Sequence, residues 1–86
     1  MKDKLMPHHL LTFELTSNQK ELEVHMDKQG VKELISYLEP LLTSKNSDHI
    51  HLSVPLVAGD DGELSMELQG ENNTLLNWVS LRFWAD

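Results

Sequence analysis

The sequence predicts an α+β domain: a mostly antiparallel sheet of four to five strands with one helix on one face, in the order ββαβββ. Three observations carry this. Several short runs alternate apolar and polar residues, the period of a half-buried strand. One stretch alone, from about Lys28 to Leu42, repeats its apolar residues at three- and four-residue spacing. A single helix can cover only one face of a sheet, so the elements stack as two layers.

Taken in order, residues 1–8 carry no clean pattern, although Leu5 and Met6 offer apolar surface. From His9 to Thr16, Leu11, Phe13 and Leu15 alternate with Leu10, Thr12 and Glu14, which predicts a strand. Ser17-Asn18-Gln19 has the composition of a turn, and residues 20–26 alternate again through Leu22, Val24 and Met26, closing an antiparallel hairpin. Asp27 supplies an N-cap for the helix, because its carboxylate can accept an amide hydrogen bond two or three residues on. Val31, Leu34, Ile35, Leu38 and Leu41 or Leu42 are expected to face the sheet. Gly30 in the first turn weakens the helix by roughly 0.5–1 kcal/mol against alanine, and Pro40 is expected to kink it or loosen its last turn.

Beyond a polar loop at 43–47, Asp48 to Pro55 reads DHIHLSVP, with Ile50, Leu52 and Val54 on one side and His49, His51 and Ser53 on the other. Pro55 suits a strand end. Gly59-Asp60-Asp61-Gly62 is a strong turn signal inside the 56–62 loop. Glu63 to Leu68 alternates and predicts a short strand, Gln69 to Thr74 a turn, and Leu75 to Trp84 the last and longest strand.

Eighty-six residues form one domain, 1–86, with one core that buries only about 60% of the unfolded surface, so self-association would help it. The absence of cysteine removes disulfides, thiolate zinc sites and cysteine nucleophiles together. No apolar run approaches the roughly 20 residues that span a bilayer, and Pro7-His8-His9 interrupts the start before a signal-peptide core forms, so a soluble cytoplasmic protein is expected. Fourteen acids against seven bases give a net charge of −7. The imbalance is local: no lysine or arginine lies between Lys45 and Arg82, while Asp48, Asp60, Asp61, Glu63, Glu67 and Glu71 do. That window disfavours binding to nucleic acid, which needs cations against phosphate, and favours solubility or a basic protein partner.

If the helix covers the apolar side, the opposite side of the sheet collects Thr12, Glu14, Glu23, His25, His49, His51, Ser53, Trp78, Ser80, Arg82 and Trp84. Tryptophan and arginine anchor protein interfaces more often than other residues, since each joins a large contact area to a polar handle. The alternative is that Trp78 and Trp84 close a second small core against the N-terminus or the 56–62 loop. His49 and His51, two apart in a strand, project the same way and could share a zinc or copper ion if His25 or Glu23 lay beside them. Solvated or structurally bonded histidines are the simpler reading. Asp60-Asp61 sits in a glycine turn without the ligand ladder of a calcium loop. The sequence has no glycine-rich phosphate loop, no Gly-x-Ser-x-Gly elbow and no HExxH helix, so neither an enzyme nor a resident cofactor is expected.

From the helix onward the chain resembles a bacterial immunity-protein family of polymorphic toxin systems, the thirty-second numbered type. The resemblance runs through His49-Ile50-His51-Leu52, Pro55, Leu64-Ser65, Gln69-Gly70, Leu76-Asn77 and Phe83-Trp84, over roughly residues 27–84. It departs from that family's Trp-Gly-Gly type segment, where this chain has Val57 to Gly62, and the first hairpin matches only loosely. The resemblance implies a small cytoplasmic, non-catalytic protein that binds and neutralises a toxin domain encoded beside it, such as a nuclease; a monomer or homodimer is expected. The residues expected to meet such a partner are His49, His51, Asp60, Asp61, Glu63, Trp78, Arg82 and Trp84. The alternative reading is a domain that binds a metal or small ligand through the histidine-bearing face.

Overall fold

Alternating short runs and one amphipathic helix give the elements β1 (Leu11–Leu15), β2 (Leu22–Met26), α1 (Lys28–Leu42), β3 (Asp48–Ser53), β4 (Thr74–Leu75) and β5 (Trp78–Phe83). They are seen in a computed structural model that describes residues 9–55 and 62–85. The domain is α+β with antiparallel pairing throughout, as its periodicities predict.

The sheet is divided into two ladders, one of three strands in the order β2-β1-β4 and one of two strands, β3-β5. The final strand of the chain explains the division. Its first part pairs with β1, where the Leu76 amide donates to the Phe13 carbonyl, and its second part pairs with β3, from the Asn77 carbonyl onward. Leu76 and Asn77 mark the handover, so the predicted strand from Leu75 to Trp84 is interrupted there. Glu63 to Leu68, expected as a strand, is irregular instead. It bridges the two ladders: the Glu63 and Leu64 amides both donate to the Ser53 carbonyl, and the Ser65 amide donates to the Leu11 carbonyl. A segment whose donors serve two different strands cannot run straight beside either of them.

Leu11, Phe13, Leu52, Val54 and Leu64 form the core, with Leu34 and Tyr37 of the helix packed against it. Ile50 and Leu52 therefore lie under the helix side of β3, as their alternation predicts. The helix is turned relative to its expected face. Leu34 and, of the Leu41/Leu42 pair, Leu41 are half-buried as expected, beside Gly30 and Tyr37, while Val31, Ile35 and Leu38, expected against the sheet, are exposed, as is Leu42. Pro40 lies inside the helix, which continues to Leu42. Asp27 caps it as predicted, its carboxylate accepting from the Gly30 amide at 2.8 Å. Tyr37 donates its hydroxyl to the Glu33 carboxylate at 3.0 Å. Burial, that hydrogen bond, and the charges of Glu33 and Glu63 push the Tyr37 phenol up to about 12. No helix among the described residues is long and apolar enough to cross a membrane.

Candidate functional site

Among the described residues, two polar constellations stand on the strands, one closed and one open. The closed one lies on β1 and β2. Register places Thr12 opposite His25 and Glu14 opposite Glu23, so the four side chains share a face. Thr12 and Glu14, expected on an open surface, are fully buried, because the 66–73 segment folds across them. Glu14 is bound at both oxygens. Oε2 accepts from the Thr12 hydroxyl at 2.7 Å and the Gln69 amide at 2.9 Å. Oε1 accepts from the Gly70 amide and the Asn73 side-chain amide, each at 2.9 Å.

Two carboxylates directly across a ladder repel each other. Here the Asn73 amide donates to Glu14 and Glu23 at once, and the His25 Nε2 donates to Glu23 at 2.9 Å, so donors separate the charges. Burial alone would push the Glu14 carboxyl up, but the bonds from Thr12, Asn73, Gly70 and Gln69 together outweigh it and hold it down at about 2. Bonds from His25 and Asn73 likewise hold the Glu23 carboxyl below its ordinary value. Glu14, Glu23 and His25 bring one ligand atom each within 4.8 Å of one another, close enough to hold a cation. The Glu14 oxygens, however, already accept four hydrogen bonds, about the number of their lone pairs. The cluster is a clasp that fastens the 66–73 segment to β1.

The open constellation is on the β3-β5 ribbon. His49 stands opposite Arg82, His51 opposite Ser80 and Ser53 opposite Trp78, so all six share the face away from the core. The His49 and His51 rings lie 4.8 Å apart, and His51 lies 5.0 Å from Trp78. Trp84, one step past the ribbon, joins His49 and Arg82 around a small recess of about 120 Å³. Trp78 is 55% exposed and Trp84 75% exposed, so neither closes a second core. The grouping of Trp78, Arg82 and Trp84 with His49 and His51 is the one their alternation predicts.

The other expected site residues fall elsewhere. His25 belongs to the clasp and does not join His49 and His51, which leaves that pair without a third metal ligand among the described residues. Glu63 is half-buried at the end of β3, where its carboxylate accepts from the Ser53 amide at 3.0 Å. Asp60 and Asp61 lie outside the described residues.

Strand alternation does not predict a third feature. Between α1 and β5 runs an open groove of about 690 Å³, walled by Ile35, Leu38 and Leu42 on the helix and by Leu81 and Phe83 on the strand. A signal for it is present in the helix. Its apolar residues form two adjacent stripes, 30/34/37/41 and 31/35/38/42, and a two-stranded ribbon can cover only one of them. No family model, curated protein or solved structure matches the chain.

Proposed function

We propose that this chain is a non-catalytic binding module of the immunity type, which captures and neutralises a basic toxin domain through the open face of the β3-β5 ribbon. One observation carries the reading: His49, His51, Trp78 and Arg82 form a contiguous exposed face with Trp84 at its end. An indole flanked by imidazole and guanidinium groups offers wide apolar contact with polar edges, the combination found in interface anchors. The ribbon presents these side chains from a paired backbone, so little ordering entropy is lost when a partner docks. The net charge of −7 favours a basic partner by steering the encounter. The resemblance to immunity proteins supplies the partner class.

The experiment is to mix the purified protein with the toxin domain encoded beside it and follow association at increasing salt. A complex whose association rate falls as salt rises is expected, together with protection of cells that express the toxin. Trp78→Ala should weaken that complex about tenfold to a hundredfold while the fold persists, since Trp78 is half exposed in the free chain. Absence of a complex, or affinity untouched by the substitution, contradicts the reading.

A further inference from the structure

We infer that β5 is the seam of a symmetric homodimer, in which the Trp78–Trp84 edge pairs antiparallel with the same edge of a second copy. Backbone donors and acceptors point to this seam, whatever the toxin partner. The Val54 amide donates to the Asn77 carbonyl, so the narrow hydrogen-bonded pairs of this ladder fall at Asn77, Val79, Leu81 and Phe83. Trp78, Ser80 and Arg82 therefore turn their amides and carbonyls to the other edge. That edge is the one β1 occupies further upstream, through Leu76 and Phe13. Beyond Leu76 no described strand takes β1's place, since the ribbon contains only β3 and β5. An unpaired strand edge is a template for another strand.

What flanks the edge favours a copy of the same chain. The groove between α1 and β5 opens on this side of the ribbon, and Ile35, Leu38 and Leu42 stand exposed along it, Leu42 at 82%. Antiparallel pairing of identical strands places the twofold axis perpendicular to the sheet, so both helices lie on one face and each exposed stripe faces its counterpart. Of the symmetric registers, the one centred on Leu81 leaves nothing from Trp78 to Trp84 unpaired. It sets Leu81 against Leu81 and Phe83 against Val79 on the helix side, and Trp78 against Trp84 on the open side. Arg82 then meets Ser80, so no like charges oppose each other. Among the described residues that line the groove, the charged ones are one acid, Glu39, and one base, Arg82. Two chains of net charge −7 can thus meet at a surface that is itself neutral. The dimer would present a four-stranded open face bearing two copies of the His49, His51 and Arg82 group.

The test is sedimentation equilibrium of the intact chain from millimolar to micromolar concentration. A mass twice the 9.9 kDa of the chain is expected, falling to the monomer value on dilution. Ser80→Pro removes an outward amide that the β3 ladder does not use, and Leu42→Glu charges a side chain exposed in the free chain. Each should give a monomer with an unchanged circular dichroism spectrum. If Ser80→Pro fails to fold, Leu42→Glu alone decides. A wild-type monomer at millimolar concentration overturns the inference. So does a dimer that survives Leu42→Glu, and so does association only with an extended segment of another protein.

Discussion

Glu14→Ala is expected to destabilise the domain by about 3–5 kcal/mol, as much as removing a buried core side chain. The substitution strands four donors beneath the 66–73 segment: the Thr12 hydroxyl, the Gln69 and Gly70 amides, and the Asn73 side chain. Small domains hold only about 5–15 kcal/mol in total, so the melting temperature should fall by tens of degrees or the variant should not fold. Glu14→Gln keeps the shape but turns an amide donor towards donors already present, and should cost nearly as much. A denaturant titration of the three proteins checks this; a loss under about 1 kcal/mol for alanine would contradict the clasp. The same residue sets an acid limit. Because folding lowers its pKa, the stability it contributes is complete above the ordinary value of 4.5 and is lost as pH falls through about 2. In Glu14→Gln that part of the acid transition should be absent.

Gly30→Ala should also destabilise, by about 1–3 kcal/mol, although helix propensity alone gives the opposite sign. The glycine is buried in the first turn of α1, and a methyl group there would overlap the Leu10 carbonyl oxygen and crowd the Met26 side chain. That carbonyl cannot retreat freely, because it accepts the Asp27 amide at the junction of hairpin and helix. The helix therefore depends on glycine for its close approach to the hairpin. Ser36→Ala, at an exposed position of the same helix, serves as the control and should leave stability within about 0.5 kcal/mol of the parent. Thermal melts of both variants decide the matter, and a stabilised Gly30→Ala would show that propensity outweighs the contact.

The first hairpin, the Asp27 cap, the helix and the apolar floor of Ile50 and Leu52 were legible because each depends on neighbours close in sequence. So was the open face of the ribbon, since alternation along β3 and β5 fixes which side chains share a side. What alternation could not convey was which face would be covered. Thr12 and Glu14 follow the same polar period as His49 and His51, yet one pair is buried by a segment more than fifty residues away. Glu63 to Leu68 alternates like a strand but spends its donors on two strands at once. The helix showed apolar spacing without showing which of two stripes would be covered, and that choice creates the groove beside β5.

We propose the His49, His51, Trp78, Arg82 and Trp84 face as the one that receives the partner. The chain contains two tryptophans, both on that face, so their indole N–H resonances report on it directly. In a nitrogen–proton correlation spectrum of labelled protein, adding the neighbouring toxin domain should shift or broaden both indole signals and the backbone signals of β3 and β5. Binding that leaves both indoles unmoved and perturbs only β2 or the 66–73 segment would place the partner on another surface and contradict this assignment.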